Sequence, residues 1–445
     1  MTALPSGWAS CALKTIADVQ LGRQRSPKNH NGPNMKPYLR AANVTWSGLA
    51  LDDVKEMHFS PREAEAFRLR DGDILLSEAS GSAREVGKPA LWHGELAHCC
   101  FQNTLLRVRS PHVSAPYLLS FFKWLALSGQ FARGSRGVGI HHLGAKALSE
   151  WSIPLAPRAE QDRIVAAIEE QFSRVDAGCV ALESVAQKAR RMRAATLSRL
   201  LSDSDGSAWP STALGDVLIS GRYGTSTKCS YDGDGMPVLR IPNVQSGSID
   251  LTDLKFAADT RVDLTASAVA QDDILIIRTN GSRALIGRAA VVPAPPRPLA
   301  FASYLIQLRV NRELIDPQFL VATLGSPPAR AEIEHLAATT AGQYNISLSK
   351  LRSLRVPIPP LRDQIAAIAE AQRQLSHATE LEMTADRALR AATRLRTTIL
   401  GSAFAGRLVS QDSTDEPAGL MLERLGNERA AGPSGTRGRR GKVVA

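Results

Sequence analysis

Three pairs of glycine-containing loops hold the side chains best suited to gripping a phosphate or reading a base edge. "GRQRSPKN" (residues 22–29) offers Arg23, Arg25 and Lys28 for phosphates or guanine edges, and Gln24 for a base. "GRYGTSTK" (residues 221–228) offers Arg222 and Lys228 beside Tyr223 and Thr225. In "SEASGSAR" (residues 77–84), Ser80, Ser82 and Arg84 sit among small residues that let a backbone approach a phosphate closely. "RTNGSR" (residues 278–283) repeats that pattern with Arg278, Asn280, Ser282 and Arg283. In the third pair, "RGSRGVGIHH" (residues 133–142) presents Arg133, Arg136, His141 and His142, and "TTAGQYNIS" (residues 339–347) presents Gln343, Tyr344 and Asn345. Each loop also reads as a solvated surface turn, and residue type alone leaves both readings open. Arg40 and Arg240, in "LRAAN" and "LRIPN", recur together with Asn43 and Asn243. Such recurrence suits bracing a shared fold at least as well as reading bases, which should differ between copies.

Catalytic constellations are missing from the sequence. It contains no GxxxxGK[ST] phosphate loop and no strand–GxGxxG–helix for a dinucleotide. His93 and Glu95 form HxE, but no downstream PCxxC completes a zinc deaminase. No Asn-Pro-Pro-aromatic motif marks an adenine methyltransferase, and no acid cluster has nuclease spacing. Adjacent His141 and His142 would point to opposite faces of a strand, which suits a turn or a nucleic-acid contact better than a metal.

Bulk properties agree with a polyanionic partner. Fifty-four Lys and Arg against 43 Asp and Glu leave a net charge of +11. A basic balance of this kind favours nucleic acid, although many enzymes share it. The five cysteines are odd in number and form no CxxC, which suits a reducing cytoplasm and neither a zinc site nor a disulfide framework. No membrane span or secretory signal is legible.

What must position these loops is visible in a repeat. At an offset of 200, "PYLRAANV" (residues 37–44) falls on "PVLRIPNV" (237–244), and "DILLSEASGSAREVGK" (73–88) on "DILIIRTNGSRALIGR" (273–288). "FQNTLLRVR" (101–109) falls on "FASYLIQLR" (301–309), while "DVQLGR" (18–23) pairs loosely with "DVLISGR" (216–222). Each copy begins with short β-type runs broken by Gly, Pro and Asn, with helical stretches among them, so it is α+β. Each then passes through a proline hinge, "IPLAPRAEQ" or "VPIPPLRDQ", into a long helix. In the first helix Val165, Phe172, Cys179 and Ala186 recur every seven residues, interleaved with Ile168, Val175, Leu182 and Ala189. The second starts near Asp363 with Ile365, Ile368 and Leu375, then changes phase to Leu381, Ala385, Ala388, Ala392, Leu395 and Ile399.

Helices roughly 60 Å long, at ~1.5 Å per residue, do not persist alone in water with a bare apolar stripe. The expected architecture is therefore a duplicated α+β domain and two long helices packed as an antiparallel coiled coil with pseudo-two-fold symmetry. The segments are residues 1–153 and 203–356 for the globular domains, 154–202 and 357–408 for the helices, and 409–445 for a disordered basic tail.

This arrangement resembles the specificity subunit of a type I restriction–modification system. The residues carrying the resemblance are Pro154, Pro157, Glu160, Gln161, Ile164 and Val165, with Pro357, Pro360, Asp363 and Gln364 in the second copy. "YGTS", "PVLRIPNV" and "DDILIIRTNGS" also resemble that family's target recognition domains. The resemblance implies a chain without catalysis of its own, in which each target recognition domain reads one half of a split, asymmetric double-stranded DNA site. The helices would space the two readers and dock two methyltransferase subunits, which carry S-adenosylmethionine; endonuclease and translocase subunits join for cleavage. The proline–glutamine hinges, Pro154, Pro157, Glu160, Gln161, Pro357, Pro360, Asp363 and Gln364, are then expected to touch partners, and the complex to work in the cytoplasm at the nucleoid. Two other classes remain alongside it: a DNA-modifying enzyme with an unfamiliar active site, and a coiled-coil scaffold.

Overall fold

The structure, a computed structural model, describes residues 4–80, 82, 85–134, 141–203, 206–245, 247–340 and 342–431. Two compact units emerge, residues 1–180 with 389–445, and residues 181–388. Each long helix, Arg158–Arg199 and Leu361–Phe404, begins in one unit and ends in the other.

The first unit is built on an antiparallel sheet in the order Asp18–Leu21, Leu105–Arg109, Ile74–Ser77, Pro89–Leu91. The second repeats it as Leu218–Tyr223, Leu305–Val310, Ile274–Ile277, Ala289–Val291, with Gly247–Ser248 added at the edge. Strand Ile274–Ile277 is apolar along its whole length, and Ile74–Ser77 is so up to its last residue, because both faces are covered. Ile74 and Leu76 pack with Phe121 and Phe122 of the helix Ala115–Leu127, while Leu75 faces Leu39 and Phe101. Ile274 and Ile276 meet Phe319 and Leu320 of Pro317–Leu324, while Leu275 and Ile277 face Leu239 and Phe301. Buried Asp73 accepts two hydrogen bonds from Arg109 at 2.6 Å, and Asp273 accepts the same pair from Arg309 at 2.8 and 2.9 Å.

A short strand pair closes each domain onto its hinge. Ala9–Ala12 pairs with Ser152–Leu155, and Ser211–Ala213 pairs with Arg355–Pro357. The chain then turns into the long helix under the control of one glutamine. Gln161, with no exposed surface, accepts from the Ser114 amide at 3.1 Å and donates to the Ala156 carbonyl at 2.9 Å. Gln364 does the same with the Asp316 amide at 2.8 Å and the Pro359 and Leu314 carbonyls at 2.8 and 3.0 Å. Ser114 and Asp316 are the residues that open the domain helices Ala115–Leu127 and Pro317–Leu324. A single amide thus ties the start of one helix to the start of another.

The long helices pack against each other in opposite directions, and this is seen inside each unit. In the first, Ile164 and Ile168 near the start of one helix share a core with Leu400 and Phe404 at the end of the other. In the second, Leu197 and Leu200 share a core with Ile368 and Ala371, and Thr196 donates to Gln374 at 2.9 Å. The stripe on the second helix differs from the sequence expectation. Ile365 is 59% exposed and Leu395 is exposed too, whereas Ala371, Ala378, Ala385 and Ile399 are buried with Ala392 half-buried between them. The seven-residue repeat runs on without a phase change, carried by alanines whose small side chains give a weak hydrophobic signal.

One further expectation changes. The segment after residue 408 is not a disordered tail as far as it is described. Ala418–Ala431 is a helix whose Ala418 and Leu425 enter the first core, and Arg163 pairs with Asp415 at 2.5 Å. Residues 432–445 lie outside the described residues. No helix among the described residues is long and apolar enough to cross a membrane.

Replacing Gln364 with leucine leaves a buried N–H and two buried carbonyls without partners, at a cost of about 2–3 kcal/mol. Chemical denaturation of Gln364→Leu is expected to show the second unit unfolding at lower denaturant, with the first unit unchanged.

Candidate nucleic-acid interface

Three strand ends meet at one end of each central sheet. In the first domain the chain leaves Leu21 through Gly22, whose amide donates to the Leu105 carbonyl at 3.0 Å. The Glu78 amide donates to Thr104, and the Glu78 carbonyl accepts from Leu143, at 2.9 and 2.7 Å. Ala79–Ser80 then pairs with His141–His142. The second domain reproduces this lattice. Arg278 donates to the Tyr304 carbonyl at 3.0 Å and accepts from Ile346 at 2.9 Å, and Thr279–Asn280 pairs with Gln343–Asn345.

Strand pairing corrects the sequence register at the first loop. Leu21 lies opposite Leu106 and Tyr223 opposite Ile306, so Gly22 corresponds to Gly224 rather than Gly221. A Cβ at Gly22 would stand 2.1 Å from the Gln102 carbonyl, and one at Gly224 would stand 2.2 Å from that of Phe301, so both crossings require glycine. A bulge between Leu218 and Ser220 contributes to the slip. Arg23 therefore occupies the place of Thr225, and Arg222 that of Gln20.

Several predicted contact residues are taken up by the fold itself. Arg23 is buried, grips Glu63 at 2.9 and 3.1 Å, donates to the His58 carbonyl at 2.8 Å and lies over the Phe59 ring. Arg222 donates to Gln307 and the Ala268 carbonyl, both at 2.7 Å. Arg40 pairs with Asp53 at 2.5 Å and Arg240 with Asp253 at 3.4 Å, while buried Asn43 and Asn243 close the same turn in both copies. These arginines brace loops, because a guanidinium under the surface is stable only against a carboxylate or carbonyl. The hinge residues are corrected in the same way. Glu160, Gln161, Gln364, Pro157 and Pro357 are buried within their own units, Pro154 and Asp363 are half-buried, and Pro360 alone of the set is exposed. Glu160 accepts from Trp8 at 3.0 Å and from Gln411 at 2.7 Å, which leaves it no face for a partner.

Other candidates lie at the surface or at strand ends. Gln24, Arg25, Lys28, Arg133, Lys228, Ser82 and Ser282 are exposed. Thr225 shares a hydrogen bond with Thr227 at 2.7 Å, Asn280 accepts from the Ser282 amide at 2.7 Å, and Arg283 stands 3.5 Å from Glu334. Arg84 and Arg136, and the side chains of Ser80 and His141, lie outside the described residues. In the second domain the structure gathers Tyr223, Arg278, Tyr344 and Asn345 with exposed Gln343. The Arg278 guanidinium lies 4.5 Å above the Tyr223 ring and donates twice to Asn345 Oδ1 at 3.3 Å. In the first domain the corresponding group is Leu21, Glu78 and His142, with His142 Nδ1 3.3 Å from Glu78 Oε1. Glu78 and Leu21 are absent from the sequence candidates; the offset that pairs residue 78 with Arg278 is the signal that points to Glu78.

The family described as "Type I restriction modification DNA specificity domain" matches residues 206–389. The type I restriction enzyme EcoKI specificity subunit of Escherichia coli K12 is 25% identical, over 96% of this chain and 97% of that protein. The StySPI specificity subunit of Salmonella potsdam is also 25% identical, over 96% of each. Among solved structures, one concerned with complex assembly and conformational transition of the type I system matches with a TM-score of 0.71 and 18% identity, over 92% of this chain and all of the other. The HsdS subunit from Thermoanaerobacter tengcongensis matches with a TM-score of 0.50 and 18% identity, over 91% and 98%. At that identity the structures speak for the fold.

Arg25→Ala and Lys28→Ala are expected to leave unfolding unchanged and to weaken DNA binding across all sequences, each lowering the salt slope by about one. Arg23→Ala is expected to lower stability instead. Hydrogen bonds from Arg23, with help from Ser60, hold the Glu63 carboxyl at about 2. Its contribution is complete above the ordinary value of 4.5 and is lost as pH falls towards 2; because the side chain is 36% exposed, solvent screens it to a modest effect. Glu63→Gln should flatten stability against pH across that window, as read by denaturation at stepped pH.

Proposed function

We propose a function from one premise: this chain belongs to the family of specificity subunits of type I restriction–modification systems. It is the DNA-recognition component of such a system, without catalysis of its own, and works with DNA and other restriction–modification subunits. Each globular domain reads one half of a bipartite, asymmetric site. The paired helices space the two readers and dock two methyltransferase subunits, which endonuclease and translocase subunits join for cleavage. S-adenosylmethionine belongs to the methyltransferase partner and not to this chain. The work is done in the cytoplasm, at the nucleoid, where the DNA is.

One observation carries this reading. Two domains share several braces, Asp73 with Asp273, Arg109 with Arg309 and Asn43 with Asn243, yet differ in the side chains offered at the same strand ends. A scaffold gains nothing from such divergence, whereas a reader of two different half-sites requires it.

Co-expression with the methyltransferase subunit, followed by mapping of methylated adenines, is expected to return a split, non-palindromic motif with an unread gap of fixed length. A continuous or palindromic motif would sink the proposal, as would methyl transfer by the purified chain alone.

A further inference from the structure

Positions 78 and 278 occupy one place in two copies of the same fold. Both donate to a carbonyl at position 104 or 304, and both accept from the residue that opens the last domain turn, Leu143 or Ile346. The backbone is therefore held alike, while the side chain changes from a carboxylate to a guanidinium. Each is oriented by one neighbour on the adjoining strand, His142 for Glu78 and Asn345 for Arg278. The next strand end supplies a third side chain, Leu21 or Tyr223, each 43% exposed.

Several residues that serve the fold keep their type in both copies, as the Asp73–Arg109 and Asp273–Arg309 pairs and the two hinge glutamines do. At positions 78 and 278 the charge inverts at half-buried strand ends, and neither side chain is held by an Asp, Glu, Lys or Arg among the described residues, unlike Arg23 with its Glu63. Among the described residues Arg278 spends two N–H groups on a single amide oxygen, Asn345 Oδ1, and keeps the rest of its fork, stiffened by the Tyr223 ring beneath it. Glu78 spends one carboxylate oxygen on His142 and, among the described residues, keeps the other.

Resting on the function proposed above, we infer that Glu78 and Arg278 are base-reading, specificity-determining residues, one in each domain. Arg278 donates to guanine O6 and N7, the pairing its fork fits; Glu78 accepts from the exocyclic amine of cytosine, since an ionised carboxylate offers acceptors only. His142 and Asn345 are positioning residues for them.

The test maps methylated adenines in cells expressing the methyltransferase subunit with wild-type chain, Arg278→Gln or Glu78→Gln. Glutamine retains an acceptor for His142 in place of Glu78, and thermal unfolding of the purified variants checks that the fold survives. Arg278→Gln is expected to relax one guanine position in one half-site, on the order of tenfold or more in preference over the other bases. The other half and the gap should be unchanged. Glu78→Gln is expected to relax one cytosine position in the opposite half, to a similar degree. Unaltered motifs in both variants overturn the inference, as do changes in the wrong half or a uniform loss with base preference intact. Failure of the wild-type chain to yield a split motif would instead overturn the underlying function.

Discussion

The arrangement depends on a buried amide at each proline hinge. A long helix leaving a globular domain has the freedom of one or two backbone torsions, and small errors there are magnified along about 60 Å of helix, at ~1.5 Å per residue. Gln161 and Gln364 remove that freedom by bonding at once to the hinge and to the first turn of a domain helix. Because both ends of the amide are satisfied away from water, any rotation of the helix leaves buried polar groups unpaired. Prolines on either side stiffen the approach, since their φ is already set.

Around this joint, each unit recruits the far end of the other copy's helix into its own core. Leu400 and Phe404 fill the space beside Tyr117 and Phe121, with ring centroids 5.3 and 5.0 Å apart for Phe404 against those two aromatics. Leu197 and Leu200 do the same beside Phe319. Neither globular domain completes its core without helix residues, which is why the compact units cut through the helices instead of ending at the hinges. In the first unit Glu160 adds a second tie, collecting Trp8 and Gln411 from segments far apart in the chain. The C-terminal stretch is thereby drawn into the fold, and Ala418 extends the lash by donating to the Gly7 carbonyl at 2.8 Å.

A duplicated fold separates structural from functional chemistry in a way a single domain does not. A residue whose neighbour is kept in both copies repeats with it, as the Asp73–Arg109 and Asp273–Arg309 pairs do. Residues at the open strand ends are released from that requirement, and there the copies part: Leu21, Glu78 and His142 against Tyr223, Arg278 and Asn345. The glycines that let each chain cross beside those ends, Gly22 and Gly224, repeat because a Cβ has no room.

Much of the architecture was legible from residue order. The repeat, the apolar central strands, the hinges and the heptad stripe of the first helix are local patterns, set by periodicities of two, 3.6 and seven that neighbouring residues define among themselves. The family resemblance followed from the same local signals. What tertiary structure alone decided are choices among chemically equal candidates. Arg23 and Arg25 are indistinguishable in type; only the approach of Glu63, forty positions away, turns the first inward and leaves the second exposed. The hinge glutamines look like partner contacts until the amides of Ser114 and Asp316 arrive to bury them. A slip at Gly22 and Gly224, an alanine stripe too faint to count, and a polar tail folded back as a helix depend likewise on surfaces brought together from distant segments. Local periodicity specifies the elements; the pairing of buried polar groups across the fold determines which side chains are left to meet DNA.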